Sequence, residues 1–442
     1  NAAYATLTES SAQTIDANSP AATTSVTGTA DSLGVGDTIT LTIVASEQSL
    51  TCSACTMNSG TLTSFTNSAT NTYTGVYTVV EGQTDRAAGA SNFISIVLSD
   101  AAGNTNAAFV TLTESGGAIT IDANTPVVNS ATVSGGTAKV GTAITLTVVA
   151  DAAGYTLSSG TLNAVAVSGF SDDGGGTYTM TYTVVEGNTD RAAGATPVSV
   201  VLNDGENTNA AHTTLVESSA QTIDANSPAA TTSVTGTADT LGVGDTISLT
   251  IVASEGSLTC SACTMNSGTL TSFLNTAGST YTATYTVVEG QTDRAAGASN
   301  FISIVLSDAA GNTNAAFVTL TESGGAITID ANTPVVNSAT VSGGTAKVGT
   351  AITLTVVADA AGYTLSSGTL NAVAVSGFSD DGGGTYTMTY TVVEGNTDRA
   401  AGATPVSIVL TDGENTNSAH TTLVESSAQT IDANTPAATT SA

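Results

Sequence analysis

Thr38-Ile39-Thr40-Leu41-Thr42-Ile43 alternates strictly between threonine and a branched aliphatic residue. Successive side chains of an extended strand point to opposite faces, so Ile39, Leu41 and Ile43 share one face and three threonines the other. This predicts a half-buried β-strand with a solvated threonine face. Similar patterns occur at 73–80 (YTGVYTVV), 93–98 (FISIVL) and 109–112 (FVTL), with a first strand expected near 21–28 and weaker strands between 49 and 65. The runs SDAAGN, SDDGGG and NDGEN supply turns between strands, and no segment carries helical periodicity. The chain reads as all-β.

Outward from the hexad, the phrase Ile-Asp-Ala-Asn-Ser/Thr-Pro begins at Ile15, Ile121, Ile223, Ile329 and Ile431, at intervals of 106, 102, 106 and 102 residues. Intervals of this length suit a seven-stranded sandwich, so four modules of two alternating types are expected. Type A covers 16–121 and 224–329, and type B covers 122–223 and 330–431. Residues 1–15 match the end of a module, which makes them the last strand of a preceding module or a strand that pairs with another subunit. Residues 432–442 match the first strand of a following module. Five of the seven prolines (Pro20, Pro126, Pro228, Pro334 and Pro436) close the phrase, where they fix the start of a strand.

Composition narrows the function. With 36 acidic residues against 6 Lys and Arg, the net charge is −30, which excludes nucleic acid and anionic membrane surfaces as partners and favours cations. Hydrophobic residues make up 40% of the chain, enough to bury cores, but aromatics are 4% and Trp is absent, so the cores must be aliphatic. No apolar run is long enough to span a membrane. Asn-X-Ser/Thr glycosylation sequons are absent. No nucleophile, general base or hydrolase metal motif recurs, so an enzyme is not expected.

The stretch VLSDAAGNTNAAFVTLTESGGAITIDANTPVV (97–128) resembles the tandem Ig-like domains of bacterial and archaeal surface proteins, in which an Asp-Ala-Ala-Gly-Asn turn precedes the last strand and a short Asp- and Pro-containing linker follows. The phrase at 77–87 (YTVVEGQTDRA) is similar to surface-layer and adhesin repeats. This resemblance covers all four modules and implies a tandem array of four seven-stranded Ig-like β-sandwich domains at the cell surface or outside the cell. It also implies Ca²⁺ at domain junctions.

In such a sandwich the last strand leaves at the end carrying the loop between the fifth and sixth strands, and the next domain enters at its second-to-third and sixth-to-seventh strand loops. Topology therefore gathers Glu81, Asp85, Asp122, Asn124, Asp151, Asp204 and Glu206 at the first junction. The second would gather Glu186, Asp190, Asp224, Asn226, Glu255, Asp308 and Asn312, and the third Glu289, Asp293, Asp330, Asn332, Asp359, Asp412 and Glu414. Ca²⁺ takes six to eight oxygens, which each set can supply. The plainer alternative is that these residues form turns and keep the chain soluble.

Each arginine (Arg86, Arg191, Arg294 and Arg399) follows a loop aspartate and is expected to pair with a carboxylate of its own loop, which weakens Asp85 as a cation ligand. Cys52 with Cys55, and Cys260 with Cys263, are expected to form local disulfides closing an insertion of type A, counted between Gly36 and Gly60 against Gly141 and Gly160. His212 and His420 align with Phe109 and Phe317, which points to packing and not catalysis. The expected function is structural: a stiff extracellular rod, filament or cell-surface array with joints rigidified by Ca²⁺ and other copies of itself as partners. The alternative is the stalk of a large cell-surface adhesin whose binding domain lies outside this chain.

Overall fold

In the computed structural model the described residues are 2–3, 6–20, 25–91, 93–229, 233–298 and 301–437, and every regular element among them is a β-strand. The chain divides into two compact units, 1–226 and 227–442, each holding one type A and one type B module with separate cores.

The first module runs β1 (Ser25–Leu33), β2 (Thr38–Val44), β3 (Thr51–Met57), β4 (Gly60–Thr61), β5 (Thr63–Ala69), β6 (Thr72–Thr78), β7 (Ile94–Ser99) and β8 (Thr113–Ile121). One sheet has the order β5-β6-β2-β1-β8 and the facing sheet β4-β3-β7. The TITLTI hexad lies in β2, with Ile39, Leu41 and Ile43 buried and its threonines exposed. The 109–112 segment departs from expectation. Only Phe109 makes a bridge, to Ile96, and the last strand begins at Thr113. From there it leaves the β7 side and runs parallel to β1, with Thr27 opposite Thr113 and Leu33 opposite Ile121. Crossing between sheets interrupts the ladder at 110–112, so the apolar alternation there does not correspond to a paired strand.

The second module repeats this plan as β9 (Val128–Val133), β10 (Gly136–Lys139), β11 (Ala143–Ala150), β12 (Thr156–Leu162), β13 (Val165–Ala166), β14 (Ser168–Asp172), β15 (Thr177–Thr183), β16 (Val198–Asn203), β17 (Leu215–Glu217) and β18 (Gln221–Asp224). Here the first and last strands are each split in two, β17 pairing with β9 and β18 with β10, both in parallel.

Both cores are mainly aliphatic and each also holds a pair of fully buried tyrosines. Their hydroxyls find partners, as buried phenols must. Tyr73 Oη donates to Glu47 O (3.1 Å) and accepts from Leu50 N (3.0 Å), while Tyr77 Oη donates to Gln83 Oε1 (2.5 Å). Gly28 of β1 lets β8 close over the core, since a Cβ there would stand 2.8 Å from Ile119 Cδ1.

The path from β7 to β8 is pinned by a buried asparagine. Asn106 Oδ1 accepts the Leu98 amide (2.5 Å), while Nδ2 donates to Ile96 O (3.3 Å) and Ala107 O (2.7 Å). Asn209, Asn314 and Asn417 do the same in the other modules. Asn106→Ala would leave the Leu98 amide buried without its acceptor and should destabilise the first module by about 1–3 kcal/mol. Amide exchange in β2, referenced to β11, checks this; unchanged protection would mean that the amide finds another partner.

Candidate functional site

The parallel pairing of first and last strands delivers the chain to the end of the sandwich where the loop after β6 lies. Ile121 and Arg86 exchange both main-chain hydrogen bonds (2.8 and 3.0 Å), which sets residues 81–86 against the linker. Asp85 Oδ1 accepts the Ala123 amide (2.9 Å) and Asn124 Nδ2 (2.7 Å). Both carboxylate oxygens of Glu81 accept the Thr125 amide (3.2 Å each), and Asp122 Oδ1 accepts that of Asn124 (3.2 Å). Ala123 itself is fully buried in the first module's core.

The second module meets this linker with two turns. Asp151, after β11, accepts the Val127 amide (2.9 Å) and the Tyr155 hydroxyl (3.1 Å) through Oδ1. Asp204, after β16, caps its own turn at the amides of Glu206 (3.0 Å) and Asn207 (2.7 Å). Buried Asn207 then donates to Asp122 O (3.1 Å) and Asn124 O (3.4 Å) and accepts the Val35 amide of the first module (2.6 Å). All seven residues expected at the first junction therefore belong to the linker or to segments bordering it, and Asn207, absent from that set, joins the second module's turn to Asp122 and Asn124 of the linker. Its sequence signal is the position after Asp-Gly-Glu, where a turn-closing role hides the contact.

The second unit reproduces the joint. Asp293 accepts Ala331 N (2.8 Å) and Asn332 Nδ2 (2.7 Å), Glu289 accepts Thr333 N (3.1 and 3.2 Å), and Asp330 accepts Asn332 N (3.3 Å). Asp359 accepts Val335 N (2.9 Å), and Asp412 caps Glu414 N (3.0 Å) and Asn415 N (2.7 Å). The remaining seven residues fall in separate units. In the first, Asp190 holds Ala225 N (2.8 Å) and Asn226 Nδ2 (2.8 Å), Asp224 accepts Asn226 N (3.4 Å), and Glu186 is exposed. In the second, Asp308 closes its turn on the amides of Gly311 (2.7 Å) and Asn312 (2.9 Å), and Glu255 O accepts the Tyr281 hydroxyl (3.2 Å).

The two joints are electronegative. Burial pushes the carboxyls of Asp122 and Asp330 above the usual aspartate value, and the charges of Asp204 and Asp85, or Asp412 and Asp293, push the same way. Tyr155 and Tyr363 are pushed up to about 12, first by burial and then by hydrogen bonds to Asp151 and Asp359. The oxygens are of the hard type that Ca²⁺ takes. However, among the described residues no three His, Cys, Asp or Glu side chains form a group able to hold a metal ion. A cation at these joints would therefore have to draw carboxylates inward or complete its shell with amide and main-chain oxygens.

Arginine pairing differs from expectation. The Arg86 guanidinium pairs with Glu114 of β8, bonds Ile119 O and Ala90 O, and stacks over Phe93 at 3.8 Å from the ring centroid. Arg294 repeats this with Glu322 and Phe301. In type B, Arg191 Nε donates to Asn163 Oδ1 (2.7 Å) and Arg399 Nε to Asn371 Oδ1 (2.6 Å). The loop aspartate is already committed to the linker, and the neighbouring last strand supplies the counter-charge, so Asp85 stays with the joint.

Cys52 and Cys55 are joined within β3 (Cα–Cα 5.8 Å), as are Cys260 and Cys263 (5.9 Å). They do not lie in an insertion. β3 and β12 are seven residues each and bulge at the same place, so Cys55 corresponds to Gly160 and Gly60 to Val165. The two types turn alike after this strand, with left-handed Asn58 and Ser59 in one and Asn163 and Ala164 in the other, and Gly60 and Gly160 are not equivalent positions. His212 occupies the Phe109 position, bridging Val200 as Phe109 bridges Ile96. The described residues of 1–20 form no strand, Leu7 and Ile15 are exposed, and residues 438–442 of the expected C-terminal strand lie outside the described ones.

No family model and no curated protein matches the chain. Among solved structures it is similar to a four-domain ectodomain fragment of ICAM-5 (14% identity, 89% of this chain and 96% of that one, TM-score 0.27). It is also similar to invasin, a bacterial integrin-binding protein (12%, 90% and 78%, TM-score 0.24), and to an S-layer protein (14%, 93% and 55%, TM-score 0.16). The chain spans more than two thirds of the first two and about half of the third. At these scores none of them informs function.

The Arg86 guanidinium, by its hydrogen bond, holds the Glu114 carboxyl below the usual glutamate range, and Arg294 does the same to Glu322. A depressed carboxyl contributes stability that is present above its unfolded value, about 4.5, and lost as pH falls through the lower folded value. Type B arginines bond an amide that does not titrate, so type A modules should lose more stability in acid. Glu114→Gln with Glu322→Gln should remove that difference. Amide exchange of the four modules at neutral pH and well below 4.5 measures it, and equal acid losses in both wild-type modules would contradict it.

Proposed function

We propose that this chain is a structural segment of an extracellular or cell-surface array, in which tandem Ig-like modules act as spacers and the joints between them set stiffness. The observation that supports this most directly is the construction of the joint. Main-chain amides of the linker are held by carboxylates from both flanking modules, at Asp85 and Glu81 on one side and Asp151 on the other. A linker held from both sides suits the transmission of orientation from module to module. Conserving orientation is what a stalk, filament or surface layer requires of its repeats.

Ca²⁺ is the proposed regulator of these joints. Clustered like charges repel one another when unscreened, and a divalent cation bound only in the closed joint stabilises it by mass action. Asp122, Asp204, Glu206 and Glu81 in the first unit, and Asp330, Asp412, Glu414 and Glu289 in the second, would supply its oxygens. Association with further copies of the chain, as filament or layer, follows from the same reading.

At Ca²⁺ a hundredfold above its dissociation constant the joint should gain about 2.7 kcal/mol per site. The expected result is a higher thermal midpoint than in chelator and a narrower spread of dimensions in small-angle scattering, both lost in Asp122→Asn with Asp330→Asn. Identical melting and scattering with Ca²⁺ and with chelator would remove the cation from this reading and leave the array.

A further inference from the structure

Each module turns one face of a five-stranded sheet away from its core, and cross-strand register sets the residues of that face in rows. In the first module Thr66, Thr74, Thr42, Thr27 and Thr113 stand opposite one another across β5, β6, β2, β1 and β8. The Thr66 and Thr74 hydroxyls are 2.9 Å apart, which places both on the same face. The corresponding row of the second module is Ser171, Thr179, Thr147, Thr132 and Val216. Both rows recur in the second unit, with Leu274 where the first has Thr66. No residue of these four rows is charged.

In a chain of net charge −30, a solvent face without charge needs a reason. The same face also leaves apolar side chains exposed: Val149 (37%) and Val216 (50%) in the second module, Leu274 (60%) in the third, and Val357 (36%) and Val424 (50%) in the fourth. Two copies of the chain that approach through their acidic surfaces repel each other. Approaching through this face, they would bring together threonine methyls and these aliphatic side chains, with hydroxyls on both sides able to donate and accept.

We infer that this uncharged threonine face is the surface through which one copy of the chain docks on a second copy, face to face. The choice of a second copy rests on the array reading of the proposed function, and a second copy offers the matching surface: pleated, uncharged and rich in threonine. Five strands about 4.8 Å apart, each of about seven residues rising about 3.4 Å, make a face of roughly 600 Å² per module. That falls short of the about 800 Å² per partner of a stable interface. A single pair of faces is therefore weak, and association depends on the repetition of the face from module to module.

Sedimentation equilibrium of the full chain at rising concentration tests this. Salt screens the repulsion between copies, so association should strengthen as salt is raised. Thr42→Lys, Thr145→Lys, Thr250→Lys and Thr353→Lys, combined, fall at exposed positions of the face. They lower the net negative charge and hence the general repulsion, yet set like charges against one another in the docked pair, and should weaken association at least about tenfold. A second variant, Val149→Thr, Val216→Thr, Leu274→Thr, Val357→Thr and Val424→Thr, removes apolar surface without adding charge or lowering strand propensity, and should also weaken it. Association that survives both sets of substitutions would overturn the face alone and leave the array reading in place. A chain that stays monomeric at every concentration and salt would overturn the face together with self-association.

Discussion

The parallel pairing of first and last strands is the constraint on which the rest of each module depends. Antiparallel neighbours would return the chain to the end where it entered. With β1 and β8 parallel, the chain enters one end of the sandwich and leaves by the other. That single choice brings the loop after β6 beside the linker, through the two hydrogen bonds between Arg86 and Ile121. It also explains why the turn that carries aspartate in every module, the one at Asp204 after β16 for instance, borders the incoming chain.

Once the linker is threaded between two sandwiches, its amides have no ladder of their own to satisfy them. Buried or half-buried main-chain donors need acceptors, and short acidic side chains provide strong ones. Glu81, Asp85 and Asp151 each take this role. The acids are thus explained first as acceptors for an otherwise unpaired backbone. Their mutual repulsion follows from crowding several such acceptors around six linker residues, and it is felt at half-buried Asp122.

Much of this was legible in the sequence. Strict alternation located β2, β6 and β7, because apolar residues on a two-residue period have one stable solution when one face is buried. Within each unit the Ile-Asp-Ala-Asn phrase at Ile121 or Ile329 lies between the two cores, and the expected acids border it there. What sequence pattern missed has a common cause. β8 contains Glu114, Ser115, Gly116 and Gly117, a polar and glycine-rich run exposed along most of its length, so its pairing with β1 left no hydrophobic period. The partner of Arg86 lies on that strand, and so the ion pair was hidden with it. Asn207 was hidden differently, because an asparagine after Asp-Gly-Glu reads as a turn residue whether or not a neighbouring module docks on it.

The alternation of module types also reaches into the cores. Opposite the buried leucine of the second strand, type A places Gly75 or Ala283, whereas type B places Met180 or Met388. The space is refilled from elsewhere. Leu62 approaches within 3.0 Å of where a Cβ on Gly75 would lie, and the corresponding type B residue is the smaller Val167. Each core is complementary within its own module and mismatched with its neighbour's. Exchanging this strand between adjacent modules would set methionine against Leu62, an overpacked arrangement, and leave a cavity where the methionine belongs, each costing about 1–5 kcal/mol. Tandem sandwiches of similar sequence are prone to such exchange during folding. Unlike neighbours therefore oppose the error through the packing of strands within each module.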